Sequence, residues 1–183
     1  MKVDRTFTFR GSRGYLHSTS VFADLLQLRG ADATTIDLKF HRRTAHQVAY
    51  TDNPDLAGRA VAEWHDAQGK LFIIERDEPI AERVPYDESR LADMLDVDGR
   101  MVRIPASTPG FTRFEALVAG FKRLLETAHT GARRKYAFVR IRLARVPEGA
   151  VEIRYARDIG TFFQGDISAD GARLGQIFFG EWT

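Results

Sequence analysis

Apolar and polar positions alternate, switch to a helical rhythm and alternate again, and this cycle runs twice along the chain. Near the N-terminus Val3, Phe7 and Phe9 are spaced among polar residues, so a first strand is expected at Arg5–Phe9. After Gly14, the segment from about Tyr15 to Leu28 sets Leu16, Phe22, Leu25, Leu26 and Leu28 largely on one side of a helix. The second cycle opens with a strand at Met101–Ile104, passes Gly110 and enters a helical segment from about Phe111 to Thr127. There Phe111, Phe114, Leu117, Val118, Phe121, Leu124 and Leu125 cover more than half of the circumference, which predicts a buried helix.

The strands after each helix match at a fixed spacing. Ile36, Leu38 and Phe40 correspond to Val139, Ile141 and Leu143, Val48 to Val151, Leu71 to Leu174 and Ile74 to Ile177, each 103 residues apart (for example 151 − 48). The turn signals Gln68-Gly69 and Asp170-Gly171 fall within one residue of that spacing. Between Gly14 and Gly110 it is only 96 (110 − 14), so the second copy carries seven extra residues (103 − 96), expected in or just after its helix. The pattern predicts an α+β chain of two tandem β-α-β-β-β-β units, 1–78 and 101–183, joined by an acidic connector, 79–100. The connector contains Pro79 and Pro85 and reads as a surface segment with one helical turn around Ser89–Leu95.

With 183 residues, 44% of them hydrophobic and thirteen of them Phe, the chain has ample material for one compact pseudo-dimeric domain. The lack of cysteine removes disulfides, thiolate metal sites and a Cys nucleophile, and makes a reducing compartment the default. The N-terminal segment has no apolar leader region, and no stretch approaches the roughly 18 apolar residues of a membrane span, so a cytoplasmic protein with no membrane partner is expected. A formal net charge of +2 is small, although Arg133, Arg134, Lys135, Arg140, Arg142 and Arg145 crowd one stretch. Nucleic acid is therefore not an expected partner, since no strongly basic pole with stacking aromatics is evident. Phe9-Arg10-Gly11-Ser12-Arg13-Gly14 lacks both the Lys-Ser/Thr of a P-loop and the spacing of a dinucleotide fingerprint, and no nucleophile-elbow serine occurs. ATPase, kinase and α/β-hydrolase activities are disfavoured.

A buried helix after the first strand, followed by four antiparallel strands able to wrap it, resembles the hotdog fold, and two copies resemble a double hotdog. Hotdog families mostly act on acyl thioesters of coenzyme A or acyl carrier protein, as dehydratases, hydratases or thioesterases. Pro109-Gly110-Phe111-Thr112-Arg113-Phe114-Glu115-Ala116-Leu117 is similar to the Pro-Gly-Val-x-x-x-Glu-Ala-Met/Leu segment of β-hydroxyacyl carrier-protein dehydratases. The resemblance implies that the Gly110 N–H polarises a thioester carbonyl, beside Phe111, and that Glu115 acts as acid or base with a histidine from the partnering unit. The family's histidine, about nine residues before the Pro-Gly, is absent here, where Arg100 and Met101 stand. Leu16-His17-Ser18-Thr19 resembles a degraded His-Gly-Gly helix start of a hotdog thioesterase group, with Ser18 and Thr19 in place of the glycines and Asp24 as the later carboxylate.

These resemblances make Glu115 and His17 the candidate catalytic pair, at a site where the two halves meet, with Gly110, Phe111 and Ser18 around the substrate. No cofactor is implied. Each residue also has a plainer reading. His17 can cap the helix and hydrogen-bond locally, Glu115 can be balanced by a neighbouring Arg or Lys, and Asp24 can lie at the surface. Arg140 and Arg142 alternate with Val139, Ile141 and Leu143, which gives a solvated basic strand face or a landing site for an acidic carrier protein or coenzyme A phosphates. His41 and His46 read as turn residues, lacking a third metal ligand, and His65 and His129 as loop neighbours. The expected reaction is hydration or dehydration of an acyl thioester, the alternatives being thioester hydrolysis or a non-catalytic ligand-binding or assembly module. The chain is expected as a monomer, by virtue of its internal pseudo-dimer, or as a homodimer.

Overall fold

The computed structural model describes residues 1–130 and 134–182. The chain divides into two units, Met1–Asp87 and Glu88–Thr183. The acidic 79–100 segment, expected as a connector, is shared between them because it carries apolar anchors. Ile80 is buried in the first unit, and Leu91 and Leu95 in the second.

The first unit comprises β1 (Lys2–Arg5), β2 (Phe9–Arg10), α1 (Ser18–Arg29), β3 (Thr34–Phe40), β4 (His46–Thr51), a 3-10 turn at Pro54–Arg59, β5 (Ala60–Asp66), β6 (Gly69–Pro79) and β7 (Arg83–Val84). The strand expected at Arg5–Phe9 is broken in the middle. The Gln47 side chain accepts from the Phe7 N–H at 2.7 Å and donates to the Phe7 carbonyl at 3.0 Å. Those two bonds stand in for a ladder at Phe7. Beyond the break, β2 pairs in parallel with β7. α1 buries Val21, Phe22 and Leu25, and the Phe22 ring meets Trp64 edge-on at 5.4 Å.

The second unit comprises α2 (Glu88–Asp93), β8 (Asp96–Asp98), β9 (Met101–Ile104), α3 (Arg113–Ala128), β10 (Lys135–Arg145), β11 (Val151–Ile159), β12 (Phe162–Ala169) and β13 (Ala172–Trp182). As its sequence predicts, α3 is buried along most of its length, with Phe114, Leu117, Phe121, Leu124 and Leu125 in the core. Gly165 lets it lie close to the sheet: a Cβ there would stand 2.6 Å from the Phe121 ring and 2.9 Å from Ile153. α3 has 16 residues against 12 in α1, so four of the seven extra residues (16 − 12) lie in the helix.

The order strand, helix, four strands thus occurs in both units, but the strands are not arranged alike. In the second unit the order is β10-β13-β12-β11-β9-β8, with β11, β12 and β13 joined as successive hairpins. In the first it is β1-β4-β6-β5-β3, so β4 pairs with β6 and the chain crosses over to place β5 on the far side. The 3-10 turn makes this crossing. Asn53 caps it, and Leu56 and Ala57 pack on Ala60, Phe72 and Ile74. At the matching place the second unit has a tight turn at Gly160, whose φ is +63°, which leaves no chain for a crossing. Alternation specifies which face of a strand is buried and not which strand lies beside it.

Candidate functional site

The start of α1 gathers most of the polar side chains that the sequence singles out in the first unit. His17 is the N-cap residue, with extended backbone, yet its side chain makes no capping hydrogen bond. It is 6% exposed, and its ring lies between two partners. Nε2 meets the Arg13 guanidinium, and Nδ1 lies 2.5 Å from Thr19 Oγ1. A guanidinium can only donate, so Nε2 accepts and the neutral ring carries its proton on Nδ1, toward Thr19. Arg10 donates to the same Thr19 oxygen at 3.1 Å and stacks over Tyr86 at 4.4 Å. The His17 and Tyr86 ring centroids are 5.6 Å apart. Ser18 is the first helical residue and half-buried. His17 is therefore held by nearby side chains on both ring nitrogens: the local hydrogen bonding weighed for it is present, and a side-chain cap bond to the helix is not.

The start of α3 is built differently. Thr112 is the N-cap: its Oγ1 accepts from the Glu115 N–H at 3.2 Å, and the Glu115 carboxylate accepts from the Thr112 N–H at 2.6 Å. This reciprocal capping box satisfies two helix-start donors and sets a carboxylate at the positive end of the helix, which is how Glu115 tolerates being only 2% exposed. The Thr112 N–H is thus one partner of the Glu115 carboxylate. Gly110 lies two residues ahead of the cap with φ +87°, and the Phe111 N–H donates to the Thr108 carbonyl at 3.0 Å. Arg113 clamps the neighbouring loops, donating to the carbonyls of Pro105, Ala106, Pro147, Glu148 and Gly149. Burial lowers its guanidinium pKa.

On β10, Ile141 and Leu143 are buried and Arg142 is exposed, as the alternation predicts. A bulge between Phe138 and Arg140 shifts the register there, and Arg140 is half-buried opposite Phe178. Arg133, part of the same basic stretch, lies outside the described residues. His41 and His46 sit 3.4 Å and 3.9 Å from Glu63 and Glu75. Among the described residues no group of three or more His, Cys, Asp or Glu is placed to hold a metal ion. His129 is more than a loop neighbour: it ends α3, with Nδ1 3.0 Å from the Leu125 carbonyl, and packs against the rings of Tyr136, Tyr155 and Phe163.

One constellation escapes the sequence reading. Arg5 Nε lies 3.0 Å from Asp24 Oδ2, and the fully buried Tyr50 on β4 completes the group. Burial first, and then the Asp24 charge and hydrogen bonding, push the Tyr50 phenol far above its usual range, so it stays protonated. Asp24 lines a groove of about 780 Å³ between the Thr6–Thr8 segment and the outer face of α1. Asp24 alone drew notice in sequence. Arg5 and Tyr50 join it only because β1 pairs with β4, where Val3 stands opposite Tyr50 and Arg5 opposite Val48.

No protein-family model matches the chain, and no curated protein matches it. Among solved structures it is similar to a monomeric dehydratase domain from a trans AT polyketide synthase split module, at 8% identity and a TM-score of 0.49, over 100% of both chains. It is also similar to the tesB protein of Mycobacterium avium subs paratuberculosis, at 11% identity and a TM-score of 0.48, over 98% of this chain and 91% of that one. A third similarity is to a putative oleoyl thioesterase from Lactobacillus plantarum, at 13% identity and a TM-score of 0.44, over 99% and 95% of the two chains.

Proposed function

We propose that this chain is an acyl-thioester-handling protein of the double-hotdog type, in which His17 moves a proton during hydration or dehydration of the acyl group. The observation that carries the reading is the state of His17: buried, not capping the helix it begins, and held between Arg13 and Thr19. A ring so held has its Nε2 lone pair available to any substrate that displaces the Arg13 guanidinium, and orientation of this kind is what general base catalysis requires. In dehydration, Nε2 takes a proton from the carbon next to the thioester carbonyl. The carbon–carbon double bond forms as the hydroxyl leaves the neighbouring carbon, and the proton departs with it as water. Hydration is the reverse. An acyl-CoA or an acyl carrier protein supplies the substrate, and Arg140 and Arg142 are proposed contacts for its phosphates or acidic surface. Glu115 Oε2 is engaged in the capping box, so the acid–base role of Glu115 beside Gly110 is taken as secondary to that of His17.

A second reading, a non-catalytic acyl-binding module, is favoured by that same capping box, which gives Glu115 a structural task sufficient to explain its burial. The test is turnover of 3-hydroxyacyl, enoyl and saturated acyl thioesters, with hydration and free-thiol release followed together. Wild type is expected to interconvert the first two, and His17→Ala to lose about 10²-fold or more of that rate. Thiol release without hydration would make the protein a thioesterase. Absence of any turnover, with thioesters still bound, would leave the binding module.

A further inference from the structure

The sheet of the second unit gathers on its outer face residues that the chain keeps far apart. Gly165 and Phe179 face Phe121 of α3, so alternation turns Gln164, Asp166, Phe178 and Gly180 to the opposite side. Pairing sets that side in rows across four strands. One row is Arg142, Gln176, Asp166 and Arg154, and the next is Arg140, Phe178, Gln164 and Arg157. Phe162 lies in a third row, opposite Gly180 on one strand and Ile159 on the other. Two arginine columns, on β10 and β11, therefore stand three inter-strand spacings apart, about 14 Å at about 4.8 Å each, with a strip of amides and phenyl rings between them.

The charges of this face are displayed to solvent. Arg142, Arg154 and Arg157 are exposed. Arg157 Nε donates to Gln164 Oε1 at 3.1 Å and Arg154 reaches Met101 Sδ at 3.6 Å, both neutral partners, and among the described residues neither meets a carboxylate. Asp166 is the one acid in the two full rows. Its Oδ1 accepts from Gln164 at 3.1 Å, Arg173 at 3.1 Å and Gln176 at 3.3 Å, and among the described residues no donor reaches Oδ2. The Phe162 ring lies over Gly180, where a Cβ would stand 3.5 Å from it, and is still 44% exposed. A flat ring resting on a glycine presents its other face as a stacking platform.

An acidic protein would use the arginines alone. The exposed ring and the polar strip between the columns match the faces and edges of unpaired bases, which a duplex hides. We propose that this sheet face binds single-stranded nucleic acid, with Arg140, Arg142, Arg154 and Arg157 on phosphates, a base stacked on Phe162, and Asp166 Oδ2 accepting from a base amino group. In sequence no basic pole with stacking aromatics is evident, because the arginine pairs lie on separate strands and only the pairing of β10, β13, β12 and β11 brings the rings between them. RNA and DNA single strands share the chemistry, and both are tested.

The experiment is a fluorescence anisotropy titration of labelled RNA and DNA single strands of about 12 nucleotides with the full chain. Four phosphate contacts at about 0.7 each predict a slope of about −2.8 for log K against log salt, so Kd should rise about 50-fold between about 50 and 200 mM salt. Arg154→Gln should weaken binding and reduce that slope by about 0.7. Phe162→Leu keeps an apolar cover over Gly180 but removes the stacking face, and should raise Kd about tenfold at an unchanged slope. Both positions are exposed, and thermal melts equal to that of wild type show that the variants are folded. A duplex of the same length should bind more weakly than either single strand. Tighter binding of RNA or of DNA supports the face and identifies the strand it takes. No binding at about 50 mM salt, or a Kd unmoved in both folded variants, would overturn the proposal. So would polyglutamate or an acidic carrier protein that binds as tightly as the single strands and is indifferent to Phe162→Leu, which would assign the face to an acidic protein.

Discussion

Replacing Glu115 separates a carboxylate that caps a helix from one that transfers a proton. Its side chain accepts a charge-assisted hydrogen bond from the Thr112 N–H at 2.6 Å, in a place only 2% exposed. Hydrogen bonds to charged groups contribute about 1.5–3 kcal/mol net, and a carboxylate in the first helical turn about 0.3–1 kcal/mol more. The desolvation of the carboxylate, which Glu115→Ala relieves, offsets part of that sum. A loss of about 2 kcal/mol is expected for the alanine variant, or roughly 4–8 °C in Tm for a chain of this size. Glu115→Gln keeps an acceptor for the box and should cost about 1 kcal/mol or less. Thr112→Ala, which removes the other half, should cost about 1 kcal/mol, and the double variant should lose less than the sum because each change breaks a shared motif. Denaturant melts of the four proteins, with thioester turnover measured beside them, give the answer. As a cap, Glu115→Gln retains turnover within a few fold. A loss of about 10²-fold in Glu115→Gln at unchanged stability would refute the capping argument and restore Glu115 as a proton-transfer residue.

Three further outcomes are expected. Gly165→Ala should destabilise by about 1–3 kcal/mol, read from chemical denaturation, because the new methyl would stand 2.6 Å from the Phe121 ring against a buried helix. Tyr50 holds its proton more tightly in the folded chain than at its ordinary pKa of 10.0, through burial and then the Asp24 charge. The stability it contributes is therefore fully present below about pH 10 and lost as pH rises above it; Tyr50→Phe should flatten that alkaline decline, and a phenolate absorbance titration should show a tyrosine that resists ionisation in wild type and is missing from Tyr50→Phe. Arg113→Lys should lower Tm measurably, since a single ammonium cannot reach the five carbonyls that the guanidinium fork joins; a Tm within 1 °C of wild type, against the roughly 2–4 °C expected per kcal/mol, would show the clamp to be inert.

The sequence by itself determined the main helices and hairpin strands and which of their faces are buried, though not the break at Phe7 or the bulge at Arg140. The apolar faces of α1 and α3, the buried Ile141 and Leu143 beside outward Arg142, and the Asp170-Gly171 turn follow from local periodicity and turn chemistry, which act over a few residues and need no knowledge of the rest of the chain. His17 and Glu115 were legible as residues of interest for the same reason, because each begins a strongly apolar helix. Only the tertiary structure decided what those two side chains do. Arg13 and Thr19 are near neighbours of His17, but which ring nitrogen each takes depends on how the chain turns into α1. Tertiary structure also decided the crossing of β4 to β6, which depends on Leu56 and Ala57 finding a surface made by distant strands, and the meeting of Arg5, Asp24 and Tyr50. Those three come from two strands and a helix. The hydrophobic pattern records which way a side chain faces, whereas a site depends on which strand becomes the neighbour, a choice made by long-range pairing that no local window contains.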